Sequence, residues 1–543
     1  MTPDPILHGE RPAGNAAGSR SPVLARNGMI ATSQPLASAA GLHVLQTGGN
    51  AIDAAVTAAA VLAVVEPAMT GIGGDVFAIV YDGNTKQLRG LNSSGRAGTR
   101  ADADTLLAQG LREMPGEGAL AVTVPGAVAG WAALLGAHGT IGLGDALAPA
   151  IRYARDGFPV AEIIAAQWLD ETDKLGANPA AAATFLPGGR APGTGELFRN
   201  PDLAATLELL ASRGADYLYR GPLGEAVAAE VGRLGGFLTS DDLASHRADW
   251  VTPISTRYRD YELHELPPNT QGFVALEMLN MLEGYDVAAM GHNSADYLHH
   301  LVEAKRIAFA DRGAHLADHA HVPPALLSSL ISKEYAAARR RDVDPRRAAR
   351  RHEPAAAMTQ HRGDTVYLAA ADGSGNAISF INSLFAGFGS GVVVPGTGVA
   401  LHNRGSGFTL EPGHPNRLAP GKRPLHTLVP ALLVKDGRTL MPFGVMGGDN
   451  QAQAHVQIVV NIADFGMNVQ EAGDAARVRH AGDVLAVESG IRADVRAELA
   501  RRGHLPVDGR GAMGGYQAVM VDTATGVLTG GSDPRKDGLA IGW

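Results

Sequence analysis

A protein of mixed helices and strands is predicted by three stretches of the chain. Residues 36–46 have helical apolar spacing and stop at Thr47-Gly48-Gly49-Asn50, and the Ala-rich run 51–65 that follows reads as a buried helix. Residues 76–81 are apolar and strand-like. Residues 366–371 and 377–383 are two further strands, joined into a hairpin by Asp372-Gly373-Ser374-Gly375-Asn376. The other elements follow in order. Thr123-Val124-Pro125-Gly126 opens a helix, and Ala154-Arg155-Asp156-Gly157 closes one. Residues 258–263 alternate as a strand, Leu266-Pro267-Pro268-Asn269-Thr270-Gln271-Gly272 turns, and 303–312 is helical. Residues 1–27 are polar and rich in Pro, Gly and Arg, and are expected to form a mobile N-terminal arm.

With 543 residues, 45% of them hydrophobic, the chain can bury a large core without staples. Its net charge of −9 argues against a nucleic-acid partner, which would select a basic surface. The absence of cysteine excludes disulfides, thiolate catalysis and zinc–thiolate sites. The N-terminus lacks an apolar signal core, and the run 51–65 is too short to span a bilayer and is interrupted by Asp53. A cytoplasmic protein without a membrane partner is expected.

The chemistry centres on Thr365, at the head of the hairpin. With Ser374 at the middle of the turn, Asp372 faces Asn376, and the same ladder sets Thr365 opposite Ser383, two hydroxyls side by side. Downstream, Gly447-Gly448 follows a strand that begins at Thr439. Paired glycines let the backbone turn both amides toward one point, which is what an oxyanion requires. Two other features carry less. Gly71-Ile72-Gly73-Gly74 follows a helix and precedes a strand, the reverse of the dinucleotide-binding order, so close helix–sheet packing is expected there instead of a nucleotide. His315 and His319 are four apart, with His321 close by, but Val322-Pro323-Pro324 follows at once and no acidic helper stands at a zinc-hydrolase spacing. A solvated helix end without metal is expected there, and a solvated helix face or linker over 339–351.

Several of these stretches resemble the γ-glutamyltransferase family of N-terminal-nucleophile hydrolases. They are Asp364-Thr365 before the strand, Asp372-Gly373-Ser374-Gly375-Asn376, Phe388-Gly389-Ser390-Gly391, the glycines at 71–74, Gly447-Gly448, and Gly531-Ser532-Asp533-Pro534-Arg535. The resemblance runs from about residue 28 to the C-terminus. It implies an α+β fold, a four-layer αββα sandwich shared by two chains of one precursor, cut between Asp364 and Thr365. A large subunit would cover 28–364 and a small subunit 365–543. Thr365 would then be the nucleophile, with its own freed α-amine as base. The family places a hydroxyl at the position of Ser383 and an oxyanion hole at Gly447 and Gly448. No cofactor is implied.

Substrate recognition departs from the family pattern. γ-Glutamyl enzymes hold an amino-acid head with an early Arg-Glu pair, an Asn after the hairpin, acidic residues before a Phe, and a Ser-Ser pair. Here those places hold Leu91-Asn92-Ser93-Ser94-Gly95-Arg96, Phe385, Gly407 and His426-Thr427. The pattern is closer to the oxamate amidohydrolase branch. Arg404 is the expected contact for a small anionic amide, since its planar fork suits a carboxylate, with His426 and Thr427 beside it. Arg96 is a candidate replacement for the missing early arginine. A γ-glutamyl hydrolase or transpeptidase and a cephalosporin-acylase-like enzyme remain as alternatives, as does an uncleaved, inactive binding or scaffold relative.

Overall fold

Residues 366–371 carry no polar position because both faces of their strand are covered. In the computed structural model, which describes residues 20–349, 364–437, 439–509, 511 and 513–543, Val366, Leu368 and Ala370 point into one apolar core. Tyr367, Ala369 and Ala371 point into another. The period of two that defines a strand therefore survives, with apolar residues on both sides.

That strand, Asp364–Asp372, is central in a seven-stranded antiparallel sheet. Its order is Leu539–Gly542, Gly28–Thr32, Asp364–Asp372, Ala377–Phe385, Asp75–Tyr81, Leu88–Ser93 and Asp249–Val251. A second seven-stranded sheet is stacked on it: Val23–Ala25, Leu528–Ser532, Tyr516–Asp522, Thr439–Val445, Ala431–Lys435, Tyr261–Glu265 and Ile254–Tyr258. Met29, Phe77, Tyr367, Ile381, Leu432 and Val519 fill the space between the sheets. Helices Pro35–Gln46, Ala51–Val65, Ala127–His138 and Leu143–Asp156 cover the outer face of the first sheet. Helices Gly272–Leu282, Ala295–His315 and Asn450–Ala463 cover the second. The layers are thus helix, sheet, sheet, helix, the α+β sandwich expected.

Local chemistry accounts for the elements nearest the hairpin. All fifteen residues of helix Ala51–Val65 are buried, Asp53 included. Asp53 is tolerated because it closes a capping box with Asn50 and accepts the Thr140 N–H and hydroxyl. Gly157 ends helix Leu143–Asp156 at φ 96°. The glycines at 73 and 74 serve close backbone approach to neighbouring segments. A Cβ on Gly73 would lie 2.1 Å from the Ala400 carbonyl oxygen, and one on Gly74 2.5 Å from that of Ser383.

Two expectations change. The N-terminal arm drawn over 1–27 is too long. Val23–Ala25 forms an edge strand against Leu528–Gly530, and the Arg26 and Asn27 N–H groups donate to the Trp543 carbonyl; residues 1–19 lie outside the described residues. The single strand expected over 258–263 is a hairpin, Ile254–Tyr258 and Tyr261–Glu265, turned at Arg259 with φ 56°. His315 ends a helix while His319 and His321 occupy a separate 3₁₀ turn, so they share no helical face. Most of the segment 339–351 follows helix Lys333–Arg339 as turns, and its last two residues lie outside the described residues. No helix among the described residues is long and apolar enough to cross a membrane.

The inter-sheet packing is tight enough to test. A Cβ on Gly444 would lie 2.5 Å from the Tyr367 ring. Gly444→Ala should therefore destabilise the fold by about 1–3 kcal/mol through overpacking. Urea unfolding checks this: the midpoint should fall with the slope unchanged.

Candidate active site

The hairpin brings its two hydroxyls together. Val366 faces Asn382 and Ala371 faces Ala377, and the ladder shifts register between Asp364 and Val366, so that Asp364 faces Phe385. At that irregularity the Thr365 hydroxyl donates to Ser383 Oγ at 3.2 Å. Both side chains are buried. Ser383 Oγ also accepts the Phe385 N–H at 2.7 Å and Arg404 Nη2–H at 3.3 Å. Phe385 holds φ at 82°, a strained conformation for a side chain of that size, and this puts its ring 4.0 Å from the Arg404 guanidinium carbon.

Arg404 is 1% exposed. Its Nη1 donates to Thr427 Oγ1 at 3.0 Å, and among the described residues no carboxylate lies within ion-pair distance of it and its Nε has no partner. Burial pulls its pKa down to about 9, against the opposing pull of Asp75 and Asp449, which leaves it charged at neutral pH. Arg404, Thr427, Ser383 and Thr365 thus form one connected cluster, as the sequence suggests.

His426 takes a different place from the one expected. Its Nδ1 accepts the Leu428 N–H, so Nε2 carries the proton and donates to Asp75 Oδ2 at 3.1 Å. Burial and the nearby Arg404 push its pKa down to about 3, so the ring is neutral. It orients Asp75 and is one contact removed from Arg404. Asp75 itself was not singled out as a functional candidate in the sequence, though it closes the Gly71–74 stretch. Its Oδ1 accepts the N–H groups of Gly95 and Gly126 at 3.0 and 3.2 Å. Burial pushes this carboxyl up, but His402, the His426 hydrogen bond and Arg404 together hold it well below the ordinary carboxylate range. Asp75 faces Ser383 across the ladder, which places an anion one strand from the hydroxyl pair.

Gly447 and Gly448 have φ of 117° and 59°, conformations that favour glycine, and they lead into helix Asn450–Ala463. Their carbonyls accept the Asn450 and Gln451 N–H groups, while among the described residues their own N–H groups have no acceptor. Two free amides before a helix N-terminus suit a developing negative charge. The pair joins the cluster through Gln271, whose Nε2 donates both to the Thr427 carbonyl at 2.8 Å and to the Gly448 carbonyl at 3.1 Å. Asp449, the next residue, is ion-paired with buried Arg312 at 2.5 Å. Arg96 is not brought here: its guanidinium lies between Asp249 and Asp318, at 3.6 and 3.4 Å.

Two stacked antiparallel sheets between helical layers, with the hydroxyl pair at the head of the central hairpin, define the class as the sandwich of the N-terminal-nucleophile hydrolases. The chain belongs to the gamma-glutamyltranspeptidase family, whose model matches residues 37–543. It is 38% identical over 532 residues to the glutathione hydrolase-like YwrD proenzyme of Bacillus subtilis, covering 96% of this chain and 99% of that one. It is 36% identical over 533 residues to the oxamate amidohydrolase proenzyme of Klebsiella pneumoniae, with 95% and 98% covered. Among solved structures, cephalosporin acylase from Bacillus halodurans superposes with a TM-score of 0.91 at 43% identity, covering 97% of each chain. The chain is accordingly an enzyme of the hydrolase and acyltransferase type found in this family.

The buried charge network gives a pH-dependent prediction. Asp75→Asn removes the carboxylate that faces Ser383 across the ladder and should cost about 3–5 kcal/mol of stability at neutral pH, as breaking a buried ionic network does. Because the folded pKa of Asp75 is depressed, its contribution is present above the unfolded value, near 3.8, and is lost as pH falls through the folded one. Denaturant titrations of the wild type and Asp75→Asn should therefore begin to approach each other below about pH 4 and meet only as the pH falls through the depressed folded value.

Proposed function

We propose that this protein is a self-processing N-terminal-threonine amidohydrolase or acyltransferase that acts on a small anionic amide of the oxamate type. One observation carries this: the Thr365 hydroxyl donates to Ser383 Oγ, and the same oxygen is held by a buried Arg404 that has no carboxylate partner among the described residues. A nucleophile next to an unneutralised guanidinium suits a substrate that brings its own carboxylate.

Maturation begins with attack of Thr365 Oγ1 on the carbonyl carbon of Asp364. The peptide C–N bond breaks as an ester forms, and water hydrolyses the ester, leaving a large chain that ends at Asp364 and a small chain that begins at Thr365. The new α-amine has a reference pKa near 8, so a useful fraction is neutral at physiological pH. It takes the hydroxyl proton as Oγ1 attacks the substrate amide. The tetrahedral oxyanion sits on the N–H groups of Gly447 and Gly448, worth about 3 kcal/mol per donor in comparable sites. The resulting ammonium gives its proton to the departing nitrogen. Water, or a second amine, then takes the acyl group. Ser383 holds the nucleophile oxygen, Arg404 and Thr427 hold the substrate carboxylate, and His426 acts on Arg404 through Asp75. All of these groups belong to this chain, in the setting of a cytoplasmic enzyme.

The likeness to cephalosporin acylase supports a second reading, an amide with a bulkier substituent. Kinetics separate the possibilities. Ammonia release from oxamate should be robust, while γ-glutamyl-p-nitroanilide should yield little nitroaniline, since the positions that hold an amino-acid head in γ-glutamyl enzymes here carry Phe385, Gly407, His426 and Thr427 and no acidic side chain. Arg404→Met should lower kcat/KM for oxamate by about 100-fold, the loss of a charge-assisted pair. Robust nitroaniline release, or full oxamate turnover by Arg404→Met, would refute the assignment.

A further inference from the structure

Strands Ala431–Lys435 and Thr439–Val445 separate before the second of them reaches the Gly447-Gly448 turn. Their ladder ends with Ala431 opposite Phe443. The next residue of the first strand's segment is Pro430, which has no N–H to continue it. Carried one residue further, the register sets Val429 opposite Val445, and neither amide bonds to the other strand. The Val429 N–H donates to Gln451 Oε1 at 2.9 Å, and the Val445 N–H donates to His455 Nε2 at 3.2 Å. Gln451 and His455 are four residues apart on helix Asn450–Ala463, so one helical face fills the gap between the strands. On its other side Val445 still faces Tyr516, and the Met446 N–H donates to the Gly515 carbonyl at 3.1 Å. His455 thus supplies the acceptor that a neighbouring strand would, two residues before Gly447.

An imidazole can do this in one tautomer only. Nε2 offers its lone pair to the amide, so the proton sits on Nδ1. That N–H donates to Glu265 Oε1 at 3.0 Å. Glu265 ends strand Tyr261–Glu265, which pairs with Ala431–Lys435 in the second sheet. Both side chains are fully buried. Burial pulls the His455 pKa down to about 3 and pushes the Glu265 carboxyl well above its ordinary value, so the ring is neutral and keeps its lone pair. Glu265 Oε2 has no partner among the described residues. A buried, half-satisfied carboxyl is costly to a fold. What it secures here is the direction of the imidazole lone pair, as a carboxylate does behind a metal-bound histidine.

The contacts lead from the sheet to the turn. Glu265 fixes the tautomer, His455 holds the Val445 amide, and Met446, Gly447 and Gly448 follow. Glycine has no side chain to anchor its backbone, so the direction of the Gly447 and Gly448 amides depends on what holds their neighbours. The exit of the turn is held by the Asn450 and Gln451 N–H groups, which donate to the Gly447 and Gly448 carbonyls. Its entry is held by His455 on one side and Gly515 on the other.

We propose, resting on the amidohydrolase reading above, that Glu265 and His455 are positioning residues for the reaction: through the Val445 N–H they set the Gly447 and Gly448 amides where the tetrahedral oxyanion forms. Neither side chain touches the substrate. The substrate carboxylate is held elsewhere, by Arg404 and Thr427, so the pair acts on turnover and leaves binding alone.

Two pairs of variants test this. His455→Leu keeps an apolar side chain in place and removes the acceptor, whereas His455→Gln keeps an acceptor. Per mole of cleaved protein, His455→Leu should lower kcat for oxamate by about 100-fold with KM unchanged, the loss expected when a reacting group is misplaced by about 1 Å, and His455→Gln should recover roughly ten-fold of it. Glu265→Leu and Glu265→Gln repeat the comparison one contact further from the turn, with the Gln variant again the more active, and decide it should His455→Leu not fold. A lowered Tm with the kcat of the folded enzyme unchanged, or equal kcat for the Leu and Gln members of both pairs, overturns the proposal. Amide hydrogen exchange at Val445 separates the two levels. It should quicken by roughly ten-fold or more in His455→Leu and stay near the wild-type rate in His455→Gln, whatever the substrate. That pattern in a protein whose wild type turns over no oxamate supports the positioning contact and counts against the amidohydrolase reading. Unchanged exchange in His455→Leu, with normal oxamate turnover, overturns the positioning role alone.

Discussion

A single buried guanidinium sets the terms for the rest of this structure. Taking Arg404 out of water is costly, and no direct ion pair among the described residues offsets it. What holds it is a set of weaker partners: the Ser383 and Thr427 hydroxyls, the face of Phe385, and the field of Asp75 one strand away. Each has its own support. Asp75 is kept ionised by His402, the hydrogen bond from His426 and Arg404 itself, and Phe385 pays with a left-handed backbone. The arrangement leaves one strong cation beside the Thr365 hydroxyl with spare hydrogen-bonding capacity, which a substrate anion can satisfy.

The sandwich explains why this cluster can be assembled from such distant parts of the chain. Thr365, Ser383 and Asp75 lie at one end of three adjacent strands of the first sheet. The Gly447-Gly448 turn leaves the facing sheet at Val445, and Gln271 ties the Thr427 and Gly448 carbonyls together. Helical cover on one side and the second sheet on the other leave the Thr365 strand apolar on two sides from Val366 to Ala371, so its hydroxyl lies at the strand end. Rigid elements position the groups within the short distances that acyl transfer demands, and the glycines at 73 and 74 let the backbones approach.

Much of this was legible in the sequence, for identifiable reasons. Turn symmetry about Ser374 fixes the hairpin register, and with it the Thr365–Ser383 pair, because pairing in a tight hairpin depends on local residues alone. The Gly447-Gly448 turn announces itself through the left-handed backbone only glycine adopts readily. Arg404 and Thr427 could be placed by their motifs. Contacts between sequence-distant groups were harder. Asp75 meets His426 across more than three hundred residues, and nothing local marks it as an anion that accepts from Gly95, Gly126 and His426. Arg96 looked available because its partners, Asp249 and Asp318, lie far along the chain. The arm boundary was misplaced for a similar reason: Val23–Ala25 is polar-flanked and short, and becomes a strand because Leu528–Gly530 offers it an open edge.

The central claim is that the Thr365 hydroxyl opens the chain before it and then works as the first residue of a new one. Intact-mass measurement of purified protein addresses this directly. The account predicts two chains, the smaller corresponding to residues 365–543 and beginning Thr-Val-Tyr-Leu, and a single full-length chain for Thr365→Ala. An active wild type that remains one uncut chain, or whose small fragment begins at any other residue, would contradict it.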